Sequence, residues 1–180
     1  MPLRAQPLDE SSFENALNSQ SPIEILLLGH LYVQRALSAA VPEALPYPER
    51  LDLDKWSFSR LLELGSALGL SWLRPVDVGV LTRLNRLRNR LAHDLQFELG
   101  PVQELELYNV MSQDLRGVAF HSQPFDQFAF PEALRQMISS IVISIDVVRN
   151  RLVEDRRAWA EVNRRMEEMG LKLRDRHPPT

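Results

Sequence analysis

Between Leu81 and Asp94 the chain reads Leu-Thr-Arg-Leu-Asn-Arg-Leu-Arg-Asn-Arg-Leu-Ala-His-Asp, and this stretch holds the residues best suited to chemistry. Arg83, Arg86, Arg88 and Arg90 fall within eight residues with no acid among them. A guanidinium presents a planar fork of N–H donors that matches phosphate oxygens, so Arg83, Arg86 and Arg90 are candidate phosphate contacts. Asn85, Asn89 and His93 recur at four-residue intervals and end on an imidazole, the side-chain type that changes charge near neutral pH. Cleaving a phosphodiester without a metal requires activation of a hydroxyl nucleophile and neutralisation of charge on the phosphoryl oxygens. An imidazole can take or deliver the proton and an arginine can hold the oxygens. The sequence contains no Gly-rich phosphate loop, no His and carboxylates at metal spacing and no serine elbow. No metal and no cofactor is expected.

These side chains need a helix to carry them. Leu84, Leu87 and Leu91 recur at three- and four-residue spacing, which predicts an amphipathic helix opened by Pro75 and ending near His93. Five residues at about 100° each put Arg88 and His93 roughly 140° apart on an ideal helix. A site using both therefore needs the helix to end near Ala92, so that His93 can swing, or a second subunit to supply the opposing Arg.

The remaining elements are helical as well. Residues 1–20 read as an N-terminal extension: a loose start through Leu8, then a short helix capped by Asp9 or Ser11, with Phe13, Ala16 and Leu17 inward. Ser21-Pro22-Ile23-Glu24 is a strong helix start, and the helix should run to about Val41 with Ile23, Leu26, Leu27, His30, Leu31, Val33 and Leu37 as a broad apolar surface. His30 is expected as a hydrogen-bonded core or interface histidine. Pro42, Pro46 and Pro48 predict an extended connection. A helix beginning at Asp54 or Ser57 follows, containing Trp56, Phe58, Leu61, Leu62, Leu64 and Leu68; Gly69 ends it and Trp72 and Leu73 tuck under the turn. Pro101 starts a helix through about Leu115 with Val102, Leu105, Tyr108, Val110 and Met111 inward. Arg116 to Phe130 is expected to be irregular, its rings fastening the loop to the core. Pro131 opens the longest helix, reaching Met169, whose inner stripe is Leu134, Met137, Ile138, Ile141, Ile145, Val148 and Leu152. Beyond Arg149 a thinner stripe of Trp159, Val162, Met166 and Met169 suggests packing on a second subunit.

The fold expected is all-α: a single-domain bundle of about five main helices over residues 21–152, with residues 153–180 forming a protruding charged helix end and a basic tail. At 180 residues the chain is long enough to bury a core without staples, and it contains no cysteine that would form a disulfide or thiolate site. A net charge of −3 argues against coating nucleic acid by bulk electrostatics, so phosphate binding must be local. The apolar runs are shorter than a membrane span and the N-terminus lacks a signal-peptide pattern, so a cytoplasmic protein without membrane contact is expected.

Arg88-Asn89-Arg90-Leu91-Ala92-His93, an Arg followed directly by a polar residue with a His five positions on, resembles the signature of the HEPN superfamily, helical domains that include many RNA-cutting toxins and defence effectors. The layout over roughly residues 20 to 95 is similar too. A broad apolar helix carries Gly29-His30-Leu31, a proline-rich connection follows, and a helix with Phe58-Ser59-x-x-Leu62-x-Leu64 ends in Ala67-Leu68-Gly69-Leu70 before the Arg-Asn-x-x-x-His helix. Arg149-Asn150-Arg151 repeats the triplet, but the position five after Arg149 is Glu154, so the weight of the motif lies on His93. The resemblance implies His93 as the acid/base residue, Arg88 as the phosphate stabiliser and Asn89 as a positioning residue. It also implies a homodimer whose two motifs meet in one cleft, RNA as substrate, products ending in 2′,3′-cyclic phosphate, and an antitoxin or regulatory protein as partner. The mannitol operon repressor group has a similar layout, which implies the alternative of a non-enzymatic helical interaction module.

Overall fold

The computed structural model describes residues 10–18, 21–68, 78–121 and 123–169, and within them every regular element is helical. The expectations placed on Asp9, Gly69, Trp72, Leu73, Pro75 and the basic tail fall outside those residues. Seven α-helices follow in order: α1 Glu10–Leu17, α2 Pro22–Glu43, α3 Phe58–Ala67, α4 Val78–His93, α5 Pro101–Asn109, α6 Gln113–Phe120 and α7 Glu132–Glu168. The chain is thus an all-α bundle with a long last helix.

α2 is the central helix. Ser21 caps it by accepting from the Glu24 N–H at 3.5 Å, and Pro22 occupies its first turn, where no N–H donor is needed. The helix passes through Pro42 to Glu43 rather than breaking at Val41, because a proline so near the end disrupts little of the remaining ladder. By length and composition alone α2 is apolar enough to cross a membrane; half of its most apolar stretch is buried in this bundle. Its inner face is Leu26, Gly29, His30, Val33 and Leu37, whereas Ile23, Leu27 and Leu31 are exposed, so the apolar surface is broader than its neighbours cover.

α7 packs most extensively on α2, and the two run in the same direction. Near one end the Gly29 backbone lies so close to Ile138 that a Cβ there would stand 2.6 Å from its Cγ2. Near the other, the Arg156 guanidinium reaches Glu43 at 3.2 Å and donates to the Pro42 carbonyl at 3.1 Å and to that of Leu45. At about 1.5 Å per residue, the 37-residue α7 is about 55 Å long. Leu134, Met137, Ile138, Ile141 and Ile145 are fully buried, while past Arg156 the helix is largely exposed. α1 lies across α2 through an edge-on contact of Phe13 with Tyr32, and Arg135 holds its end by donating to the Leu17 carbonyl at 2.8 Å.

The expected single helix from Pro101 to Leu115 is two helices. α5 stops at Asn109, and Ser112 starts α6 by accepting from the Leu115 N–H at 3.2 Å, so a capping serine cuts the run in two. α6 then reaches Phe120, well into the segment expected to be irregular. The inner face of α5 also differs: Glu104 and Leu107 face inward with Met111 just beyond, while Val102, Leu105 and Val110 are exposed. Glu104 is drawn in because its carboxylate accepts from the Leu134 N–H at 2.7 Å in the first turn of α7, a donor that no residue of α7 satisfies. The aromatic segment fastens itself to the core as expected, Tyr108 stacking on Phe125 at 4.3 Å and Phe120 meeting Phe128 at 5.1 Å.

Candidate functional site

α4 is held by Val80, Leu81, Leu84 and Leu87, all buried, and this fixes which side chains face out. Around the helix the outer stripe carries Arg86, Asn89, Arg90 and His93, each exposed. Arg86 and His93 make no ion pair or hydrogen bond among the described residues. Arg90 lies over the Phe97 ring at 4.4 Å, a contact that leaves its N–H groups available. Arg83 has a different place: it forms an ion pair with Glu106 of α5 and ties the two helices together.

α4 stays helical through His93. The Asp94 N–H closes the last turn on the Arg90 carbonyl at 2.8 Å, and Asp94 then accepts from the Gln96 N–H at 3.1 Å, turning the chain away. His93 is therefore the last helical residue and stands at an open end. Arg88 lies well round the helix from it, half-buried, with its Nη1 donating to Asn89 Oδ1 at 3.3 Å. No acid pairs with Arg88 among the described residues. The other Arg-Asn pair behaves differently, since Arg149 and Asn150 both bond to Asp146, at 3.5 and 3.1 Å.

Asn85 departs from the expected face for a geometric reason: a four-residue step overshoots a full turn by about 40°, so eight residues from His93 it has rotated toward α2. There His30 Nε2 meets Asn85 Oδ1 at 3.0 Å, and Asn85 Nδ2 donates to Ser59 Oγ at 3.2 Å, so one amide bridges α2, α4 and α3. The amide orientation makes Nε2 the protonated nitrogen of a neutral His30. The imidazole is 5% exposed and stacks on Phe58 at 4.6 Å. Burial holds its pKa below the ordinary value; the Asn85 hydrogen bond opposes this and the positive charge of Arg88 adds to it. The sequence pattern that contains Ser59 did not give it a partner, because a pairing between separate helices leaves no local pattern.

Beside this bridge an open groove of about 450 Å³ runs between α3 and α4, lined by Ser59, Leu62, Glu63, Ser66, Ala67, Val78, Thr82 and Asn85. Among the described residues no three His, Asp or Glu side chains are grouped as a metal ion would require. The arrangement can bind an anion on the outer stripe through Arg86 and Arg90 and present an imidazole beside it. Within one copy it does not bring Arg88 and His93 to the same side. No protein-family model matches the chain, nor does any curated protein or any solved structure.

Proposed function

We propose that this protein is a metal-independent endoribonuclease of the HEPN type, a toxin or phage-defence effector, in which two copies form the cleft. The observation that carries the reading is the exposed stripe Arg86, Asn89 and His93 at the open end of α4, where Arg86 and His93 make no side-chain hydrogen bond or ion pair among the described residues, in a chain whose net charge is negative. In the reaction one imidazole accepts the 2′-hydroxyl proton and O2′ attacks the adjacent phosphorus. The 5′-oxygen leaves with a proton from water, and the imidazolium returns its proton to the hydroxide so formed, giving a 2′,3′-cyclic phosphate and a 5′-hydroxyl. The Arg88 guanidinium neutralises the phosphoryl oxygens, and Asn89, already bonded to Arg88, orients it. Arg86 and Arg90 hold flanking phosphates, while Arg83 contributes through its ion pair to the rigidity of α4. A homodimer answers the angular separation of Arg88 and His93, since each copy then supplies what the other lacks. An antitoxin or regulatory protein would hold such an activity in check.

The test is incubation of purified protein with total RNA in EDTA, followed by end-group analysis. Cuts ending in cyclic phosphate, lost in a folded His93→Ala variant, are expected; intact RNA, or equal cutting by the variant, contradicts the reading. One observation favours the alternative of a non-enzymatic interaction module similar to the mannitol operon repressor group. Beyond Arg156, α7 carries Trp159, Val162 and Met166 along an exposed arm. That alternative predicts intact RNA and loss of a protein partner when Trp159 and Met166 are made charged.

A further inference from the structure

The groove between α3 and α4 has hydrogen-bonding groups that the fold leaves unused. Its floor is apolar, while the side chains of Glu63, Ser66 and Thr82 on its rim make no hydrogen bond or ion pair among the described residues. Among the described residues that line it the one formal charge is the Glu63 carboxylate, an acceptor that repels phosphate and suits a neutral ligand rich in N–H donors. An apolar floor with a few polar groups at the edge is the usual make-up of a small-ligand site, and the volume of about 450 Å³ exceeds that of one nucleobase.

The groove also has a direction. Thr82, Asn85 and Asn89 stand at i, i+3 and i+7 on α4 and so share a stripe that leads from the groove to the cationic end. From Asn85 to Asn89 the helix rises about 6 Å, the scale of one nucleotide step. Asn85 lines the groove while its amide is fixed by His30 and Ser59, so this wall of the groove is rigid.

We propose that this groove is a nucleobase subsite, which accepts an unstacked base next to the phosphate held at the end of α4 and prefers guanine, whose N1–H and N2–H donors both meet Glu63. The assignment of that phosphate rests on the ribonuclease reading above. A uracil offers the carboxylate a single donor, so the groove discriminates between the two bases.

The test uses fluorescein-labelled heptauridylate and the same heptamer with one central guanosine, with binding followed by anisotropy in EDTA and cleavage followed in the same samples. The guanosine heptamer is expected to bind about tenfold more tightly. Glu63→Gln, which removes the charge, and Ala67→Trp, which fills the groove from an exposed position, should each reduce the preference to within about twofold with the melting temperature as the check on folding. Equal affinity of the wild type for both RNAs overturns the proposal, as does a preference that survives in both variants. A guanosine preference without cleavage keeps the subsite and overturns the ribonuclease reading; cleavage without a preference does the reverse.

Discussion

Among the described residues His30 and Glu104 are the two buried titratable side chains, and they act on stability in opposite directions. The folded state lowers the pKa of His30 below 6.5, through burial foremost, so its contribution is complete above 6.5 and is lost as pH falls through the folded value. His30→Gln keeps a donor for Asn85 but cannot titrate. Melting curves between pH 7 and 5 should therefore show a decline in the wild type that is shallower in the variant; equal slopes would mean His30 does not set it. Glu104 is raised above 4.5 by burial, only partly offset by its bond to the Leu134 N–H. Its contribution is complete below 4.5 and is lost as pH rises through the folded value, leaving a buried charge that destabilises at neutral pH. Glu104→Gln keeps an acceptor for Leu134 and should match or exceed the wild type in denaturant at neutral pH. Glu104→Ala strands that donor and should cost about 1–3 kcal/mol. Equal loss in both variants would contradict this role. At this scale the sequence told as much as a local pattern can. That Arg86, Asn89 and His93 share one exposed face was legible because one helix positions all three. The ion pair of Arg83 and the bridge through Asn85 were not, because each depends on a residue from another helix.

The elements were legible where periodicity and caps agree, and misread where a polar side chain overrides them. The inner stripe of α7 runs as the spacing predicts, and Ser57 caps α3 by accepting from the Arg60 N–H at 3.4 Å. α5 was misread because apolarity favoured Val102 and Leu105, whereas the unsatisfied start of α7 pulls Glu104 inward and rotates the helix about that contact. The tightest packing lies between α2 and α7, where Gly29 lets the backbone approach Ile138. Both Ile138 atoms nearest a new Cβ belong to a side chain with no exposure, so it has nowhere to retreat. Gly29→Ala should cost about 1–3 kcal/mol in chemical denaturation, the strain of overpacking exceeding the gain of about 1 kcal/mol in helix propensity. An unchanged or improved stability would show that the two helices separate freely.

Across the whole molecule, the parallel pair α2 and α7 forms a frame against which α4 is set, with α3 and α5 on either side. α4 meets α3 through Asn85 and Ser59 and meets α5 through Arg83 and Glu106, so the helix that carries the cationic stripe is braced on both flanks. Its exposed end is not braced, and a second copy can approach it there. In the proposed dimer Arg88 of one copy works with His93 of the other, and two inactive variants mixed together put this pairing to the test. His93→Ala and Arg88→Ala, each folded, are each expected to fail to cut RNA alone. Unfolded and refolded together in equal amounts, half of the dimers are mixed and each mixed dimer holds one intact site, so about a quarter of the wild-type activity should return. A mixture as inactive as either variant, beside a wild type that cuts, would contradict the shared cleft.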